Sequence, residues 1–349
     1  MAARSSRSRK RLRRRRKVDR PLTIAVDAMG GDHAPAAAVQ GALRAHEQGV
    51  PAIILVGDKA ALTAELGPAG LPEGVTIRHC SEVVGMDEPP GQGLRRKPDS
   101  SINVCALLVR DQAADGMISA GNSGAAMGAA LLRMGTVPGV ERPAIATLIP
   151  SKQGRVVLLD AGANTDCKPS HLLQFARMGA VYAEVSLGIA RPTIGLLSIG
   201  EEDTKGNELT KIANRMMAAS LETFRGNVEG KDMVNQAVDV VVCDGFVGNV
   251  VLKTGEGFAE LFAALLKAEL ARFPRLLEDQ DLLQALRHFE RKIDYAEYGG
   301  ALLLGVRGVC VISHGRSGPK AIARAVEVAH EAAAGRVPER IAAAFTQGR

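Results

Sequence analysis

Short apolar runs alternate with segments of helical period along most of the chain. Runs rich in Val, Ile and Leu predict strands that begin near residues 22, 52, 75, 116, 144, 156, 193, 238 and 309. Between them, apolar residues recur at spacings of three and four, which is typical of helices that cover a sheet. Continuous apolar strands separated by helices predict an α/β protein: a three-layer, doubly wound and mostly parallel sheet.

A turn rich in Gly, Asn and Asp follows six of the predicted strands. These segments are LTIAVDAMGG (22–31), GMISAGNSG (116–124), VVLLDAGAN (156–164), TIGLLSIGEE (193–202), VDVVVCDGFVGN (238–249) and VCVISHGRSG (309–318). Ligands of doubly wound sheets bind beyond the carboxyl ends of the strands, where the next helix offers unpaired N–H groups. We therefore expect the turns to share one anion-binding crevice. The alternative for residues 26–35 is a plain strand-to-helix turn, with Asp32 as the helix cap and Pro35 in the first turn.

Residues 257–293 have a different pattern. Apolar residues at helical spacing lead up to Pro274 and continue after it, and four of the eight phenylalanines lie in this window. The pattern predicts a projecting helical hairpin whose apolar surface faces the core, a second subunit or a lipid surface.

Charge is concentrated at the amino end. Eleven of the 44 Lys and Arg residues lie in the first twenty positions beside one acid, so this head carries +10 and the rest of the chain −4. We predict a basic disordered extension at 1–21, a single α/β catalytic domain at 22–340 that includes the hairpin, and a C-terminal tail at 341–349. The body lacks a basic stripe with interleaved aromatic residues, so a dedicated nucleic-acid function is not expected.

The common catalytic and cofactor motifs are absent. The sequence contains no G-x-x-x-x-G-K-[ST], G-x-G-x-x-G, H-E-x-x-H or G-x-S-x-G, and its five cysteines are scattered without a C-x-x-C. These absences disfavour nucleotide, dinucleotide, metal and serine-hydrolase sites, and we expect neither a cofactor nor a metal. Cys167 has no obvious base, so an unreactive thiol is expected there. Reduced cysteines and the lack of an apolar run of about 18 residues predict a cytoplasmic location.

The remaining possibility is phosphate chemistry that depends on backbone N–H groups and cationic side chains. Arg95, Arg96 and Lys97 precede Asp99 and Ser100, either of which can cap a helix, and guanidinium groups beside a helix start suit an oxyanion. Lys205 and Lys253 add ammonium groups near predicted strand ends.

Eight segments in order resemble one family, the bacterial phosphate acyltransferases of phospholipid synthesis, over residues from about 22 to 335. They are VDAMGGDHAP (26–35), RRKPDSS (95–101), SAGNSGA (119–125), PGVERPAIA (138–146), LLDAGANTDCKPSHLLQFARMGAVYAE (158–184), LLSIGEEDTKGNEL (196–209), CDGFVGNVVLKTGEG (243–257) and YGGALLLGVRGVCVISHGRS (298–317). His33 stands where the family commonly has Asn, Ser123 where it has Thr, and Leu302 where it has Pro.

The resemblance implies a fold similar to isocitrate and isopropylmalate dehydrogenases and to phosphotransacetylases. It implies transfer of a fatty acyl group from acyl carrier protein to inorganic phosphate, in a homodimer whose hairpin touches the membrane. Peripheral contact with an anionic membrane follows, and a downstream membrane-bound glycerol-3-phosphate acyltransferase is a further candidate partner.

Direct attack by phosphate on the thioester requires groups that hold two anions and stabilise an oxyanion. Backbone N–H groups at 30–32, 121–124 and 245–249 are candidates for this cradle. The candidate catalytic residues are Lys205, Asp27, Asp160, Asp244 and His314; the three carboxylates are alternatives for a base, and His314 either protonates the thiol or stabilises its turn. The candidate phosphate- or substrate-binding residues are Gly30, Gly31, Asp32, His33, Arg95, Arg96, Asn122, Ser123, Asn164, Gly245, Asn249 and Lys253.

Other functions remain open at this point. A phosphotransacetylase that uses acyl-CoA, or a decarboxylating dehydrogenase, would have the same sheet architecture. A non-catalytic adaptor that tethers by its basic head and hairpin belongs to a different class.

Overall fold

The computed structural model describes residues 20–293 and 299–346, and contains one eleven-stranded sheet covered by helices. The strands are β1 Thr23–Asp27, β2 Ala52–Gly57, β3 Val75–His79, β4 Gly116–Ser119, β5 Ala144–Ser151, β6 Gly154–Leu159, β7 Ile194–Leu197, β8 Phe224–Val228, β9 Val240–Val242, β10 Ala301–Leu304 and β11 Val309–Ile312. The helices are α1 Ala36–Glu47, α2 Lys59–Leu66, α3 Pro90–Arg96, α4 Ser101–Arg110, α5 Ser123–Ala129, α6 Pro169–Ser186, α7 Glu208–Ser220, α8 Gly230–Asn235, α9 Gly245–Leu270, α10 Gln280–Ile293, α11 Pro319–Ala334 and α12 Val337–Thr346. The predicted doubly wound α/β class is confirmed.

The sheet consists of two parallel halves that run in opposite directions. Its order is β3-β2-β1-β4-β11-β10-β5-β6-β9-β7-β8. Strand β10 is antiparallel to both β11 and β5, and β5 is antiparallel to β6, whereas the other pairings are parallel. Three reversals lie between the halves, so the carboxyl ends of β1, β4 and β11 point opposite to those of β6, β7 and β9. Neither β8 nor β10 was predicted, because FRGNV is polar and ALLL is short between glycines.

Alternating side chains divide the core between the two faces of the sheet. Ile24 and Val26 contribute to one continuous cluster that spans both halves. The opposite face carries two smaller clusters, one around Met117 in the first half and one around Val241 in the second. Because successive strand residues face opposite sides, Asp27 lies on the divided face, beside Ala25 and away from Val26.

Helix α9 lies on this divided face and contacts the second half of the sheet. It begins at Gly245, directly after the Asp244 cap, and packs Val251 against the smaller cluster of the second half. It then continues into the predicted hairpin, where a 3₁₀ turn at Pro274–Glu278 precedes α10. The rings of Phe262 and Phe289 lie 6.1 Å apart, which brings α10 back onto α9.

The chain ends differ from the predicted division. Residues 341–346, predicted as a tail, belong to α12, and Ile341 is buried there. The predicted basic extension lies outside the described residues except for positions 20 and 21. Arg20 is tied to the body by an ion pair with Asp115 at 2.9 Å. Among the described helices, none combines the length and apolarity needed to cross a bilayer.

Candidate functional site

The turns after β1 and β4 pack backbone to backbone. The Ser119 hydroxyl donates to Asp27 Oδ2 at 2.6 Å and accepts the Gly121 N–H at 3.1 Å. A Cβ on Gly30 would lie 2.6 Å from Asp27 Oδ2 and 2.8 Å from Gly121 N, so only glycine fits. Residues 27–33, 119–123 and 313–317 form what we name the first corner.

The turn after β1 also contacts the turn after β11, which is the third part of the first corner. Gly31 has φ +106°, a conformation that favours glycine, and the next residue, Asp32, donates its N–H to the Gly315 carbonyl at 2.8 Å. Asp32 does not cap α1, which begins at Ala36 after Pro35 and has no side-chain cap. The capping interpretation of Asp32 is therefore wrong, and Asp32 and His33 are both exposed at the corner.

Asn122 has a structural function at the start of α5. Its side-chain oxygen accepts the Ala125 N–H, and its amide donates to the carbonyls of Met86 and Glu88 at 2.9 and 3.0 Å. Since both amide functions are occupied, the structure disfavours Asn122 as a side-chain donor to phosphate. Ser123 beside it is exposed.

The two predicted arginines lie next to this wall. Arg95 and Arg96 are exposed in the last turn of α3, which packs on α5 through Pro90 against Gly124 and Leu94 against Gly128. The predicted helix start after Ser100 is present as α4, but the two arginines lie before it in the last turn of a separate short helix. Ser100 precedes α4 without a side-chain cap, and Asp99 instead accepts the Ser81 N–H and hydroxyl.

Asp160 organises the turn after β6. Its buried carboxylate accepts N–H groups from Ile145, Gly162, Ala163 and Asn164 and the Asn164 amide, at 2.8 to 3.2 Å. Burial raises the pKa of Asp160, and these donors oppose that effect. The Asn164 amide also donates to the Pro143 carbonyl. Both side chains are occupied within the fold, which disfavours Asp160 as a base and Asn164 as a phosphate donor.

The neighbouring strand ends bring several predicted residues close to this turn. Asp244 caps α9 by accepting the Val247 N–H, and Gly245 donates its N–H to the Asn164 carbonyl at 2.7 Å. Asn249 is exposed one turn further on, beside Gly162. Lys205, on the loop after β7, is also exposed and has no ion pair within the described residues. Residues 160–164, 198–205 and 244–249 form the second corner.

Helix α9 joins the two corners. A Cβ on Gly248 would lie 1.9 Å from the Asp160 carbonyl oxygen, so the first turns of α9 lie directly on the second corner. Four residues after Asn249, which is about 6 Å of helix, the Lys253 ammonium lies 2.5 Å from His314 Nε2 in the first corner. Because the sheet halves run in opposite directions, the six turns lie at two corners instead of along one edge of the sheet, and α9 links the two corners.

His314 is held in its neutral form. Desolvation by burial, followed by the nearby Lys253 charge, lowers the pKa of the imidazole. Since an ammonium can only donate, Nε2 accepts from Lys253 and the ring proton belongs on Nδ1. Lys253 also donates to Glu256 at 2.8 Å. Glu256 was not selected from the sequence, although a carboxylate three residues after a helical lysine was a usable signal.

The cysteines are not activated nucleophiles. Burial raises the pKa of Cys167 to about 12, and the thiol points to the Asn164 carbonyl at 3.6 Å. One group of three carboxylates has metal-compatible spacing within the described residues: Glu201, Glu229 and Asp232. The Lys231 ammonium already lies 2.7 Å from Glu229 and 3.4 Å from Glu201, so it occupies two of the three carboxylates and offsets part of their charge, and we assign no metal to the group.

Comparison with known proteins is consistent with this arrangement. Residues 22–340 match the family model described as "Fatty acid synthesis protein". The phosphate acyltransferase of Pelotomaculum thermopropionicum is 50% identical over 325 residues, which is 92% of this chain and 94% of that protein. That of Geobacter sulfurreducens is 49% identical over 326 residues, covering 92% and 93%.

Solved structures share the fold at low sequence identity. A phosphotransacetylase from Streptococcus pyogenes has a TM-score of 0.64 at 18% identity, covering 95% of this chain and 99% of its own. A branched-chain phosphotransacylase from Enterococcus faecalis has a TM-score of 0.56 at 14% identity, covering 89% and 99%. Together with the match across residues 22–340 and the near 50% identity, this places the chain in the phosphate acyltransferase family, as an enzyme of the acyltransferase class.

Proposed function

We propose that this enzyme transfers a fatty acyl group from acyl carrier protein to inorganic phosphate, giving an acyl phosphate for phospholipid synthesis. The observation that carries the proposal is the 50% identity to a phosphate acyltransferase over 92% of the chain. The position of α9 supports it, because this helix packs on the Asp160 turn and contacts His314, and so links the glycine- and cation-bearing corners of the two sheet halves. The domain at 22–340 is proposed as the catalytic unit.

The reaction requires no covalent enzyme intermediate. A phosphate oxygen attacks the thioester carbonyl and forms the new C–O bond, the carbonyl oxygen becomes an oxyanion, and the C–S bond then breaks to release the carrier thiolate, which takes up a proton. Phosphate is already an anionic nucleophile, so placement and charge stabilisation are the main requirements. The raised pKa of Cys167 agrees with direct attack.

The geometry reduces the number of predicted residues that are proposed to contact the reactants. Lys205, Lys253 and Asn249 are exposed or partly exposed side-chain donors at the two corners. The backbone of Gly30 and Gly31 lies at the first corner without a side chain to block it. His314 is neutral and accepts from Lys253 through Nε2, so it has no extra proton to give to the thiolate, and of its two candidate roles we propose the one that stabilises its turn.

The three candidate carboxylates are proposed to hold turns in position and not to act as bases. Asp160 is saturated by five N–H donors, Asp244 caps α9, and Asp27 is only 3% exposed beneath Gly30. Each is therefore proposed to fix a turn of one of the two corners.

Thiol release from acyl thioesters tests the proposal and separates it from its alternatives. We expect release from acyl carrier protein thioesters that depends on added phosphate, without nicotinamide or metal. Faster turnover of acyl-CoA would favour a phosphotransacetylase-like enzyme, the fold of which this chain shares. Absence of phosphate-dependent release from either donor would refute the acyl transfer to phosphate and leave the non-catalytic adaptor.

The hairpin is the proposed contact with other molecules. Phe258, Phe262 and Leu265 are 66%, 59% and 60% exposed on α9. We propose that this face contacts a second copy in a homodimer and the surface of an anionic membrane, which would localise a cytoplasmic enzyme peripherally. The membrane-bound acyltransferase that consumes acyl phosphate remains a candidate partner there.

A further inference from the structure

One side chain next to the first corner has no role in the proposed reaction, although it contacts Lys253, which does. Glu256 lies on α9 one turn after Lys253, and its side chain is 19% exposed although it is charged. Its Oε2 lies 2.8 Å from Lys253 Nζ and 3.8 Å from His314 Nε2. The three groups therefore form a compact cluster that links α9 to the turn after β11.

The hydrogen-bonding capacity of Lys253 shows what the cluster does. An ammonium has three N–H donors. One is taken by Glu256 and one by His314, and within the described residues no further partner contacts the third. Two fixed bonds restrict a flexible side chain to one orientation, which leaves a single defined direction for the remaining donor.

We propose that Glu256 is a positioning residue that, together with neutral His314, fixes the Lys253 ammonium so that its third N–H meets an anionic oxygen of the reactants. This inference rests on the proposed function and adds a residue to it. Glu256 acts through Lys253 and does not touch the substrate itself.

The charges around His314 give the cluster a measurable signature. The imidazole is faced by Lys253 and Glu256 from α9, by Arg316 from its own turn and by Asp32 from the turn after β1. The positive charges lower the pKa of His314 and the negative ones raise it. Glu256→Gln should therefore lower this pKa further, whereas Lys253→Met should raise it.

A double-mutant cycle tests whether Glu256 acts through Lys253. We expect Glu256→Gln to lower kcat/KM for phosphate at least about tenfold, since small displacements of a positioned group have large effects on rate. In a Lys253→Met background the same substitution should cost less than about twofold, because the group that it positions is gone. Equal effects in both backgrounds would overturn the proposal.

A matched control separates this effect from the loss of any helical ion pair. Glu269 in the last turn of α9 pairs with Arg272, two residues beyond the end of the helix, at 3.0 Å; the spacing is again three residues, and both side chains are exposed. Glu269→Gln should leave kcat/KM unchanged. Thermal unfolding confirms that each variant is folded.

Titration of His314 by NMR tests the cluster without turnover. Opposite pKa shifts in Glu256→Gln and Lys253→Met support the proposed contacts, and an unchanged pKa in both would overturn them. If the wild type releases no thiol in the presence of phosphate, the proposed function fails, while this titration still decides whether Glu256 and Lys253 surround His314.

Discussion

At the residue scale, the polar side chains of the strand ends fall into two groups. Asn122, Asn164 and Asp160 use their polar atoms within the fold, because the turns that they hold contain buried N–H and carbonyl groups. Lys205 and Asn249 remain exposed. Residue type alone could not separate these groups, since asparagine occurs in both and only the surroundings of its side chain differ.

The carboxylate of Asp27 provides a pH test of its environment. Burial raises the pKa of Asp27 above its ordinary value of 3.8, so the folded protein holds this proton more tightly than the unfolded chain. Between these two pKa values the folded state binds more protons, and stability falls as pH rises through that window. We expect Asp27→Asn to lack this loss.

Denaturation of both proteins between pH 4 and pH 8 checks this prediction. The free energy of unfolding of Asp27→Asn minus that of the wild type should rise with pH, by at most about 1.4 kcal/mol per unit. A difference that is flat, or that falls with pH, would show that the Asp27 carboxylate is not desolvated as described.

Lys205 is the cation of the second corner, and it has no ion pair within the described residues. We expect Lys205→Ala to keep its fold and to lose phosphate-dependent thiol release by on the order of 10²-fold, the typical effect of removing one aimed donor. Lys59→Ala, which removes an exposed lysine at the start of α2, is the control. Turnover like that of the wild type would exclude Lys205 from the site.

At the scale of elements, α9 contains both the turn segment after β9 and the first helix of the hairpin, which the sequence analysis treated as separate segments. Its apolar period identified a helix in the hairpin region, but the helix begins at Gly245, twelve residues before the predicted start at 257. The glycines and polar residues of 245–257 interrupt the apolar pattern from which a helix is predicted. Gly248 is needed there because α9 packs closely on the Asp160 turn.

Two glycines of α9 make a matched pair for testing this contact. A Cβ at Gly248 would lie 1.9 Å from the Asp160 carbonyl oxygen, whereas nothing lies within 4 Å of a Cβ at Gly255. We expect Gly248→Ala to lower the free energy of unfolding by about 1 to 3 kcal/mol through overpacking. Gly255→Ala should raise it by about 0.5 to 1 kcal/mol through helix propensity.

Chemical denaturation of the two variants measures both changes. A Gly248→Ala protein as stable as Gly255→Ala would mean that α9 does not pack on the Asp160 turn. Activity of Gly248→Ala should also fall, because displacement of α9 moves Lys253 away from His314.

At the scale of the whole molecule, the hairpin surface predicts association. Phe262→Glu with Leu265→Glu places two charges on the exposed face of α9. We expect loss of flotation with anionic liposomes, loss of the dimer in sedimentation, or both, because each contact requires this face to be desolvated. The measurement is repeated without residues 1–19, so that the basic head cannot bind lipid on its own.

A charge placed elsewhere provides the control for this experiment. Val234 on α8 is 51% exposed, and Val234→Glu should leave both association and flotation unchanged. If the double variant of the hairpin still dimerises and floats like the wild type, both proposed contacts of this face are wrong.

The sequence by itself determined the strands with long apolar runs, the helices between them, the doubly wound class and the family, because burial on both sides of a sheet imposes composition locally. Only the tertiary structure decided the direction of each half. Strands β5 and β10 reverse the sheet through long-range pairing, and the local pattern of a strand is the same in either direction. The separation of the strand ends into two corners, and the contact of Lys253 with His314 that joins them, follow from that pairing.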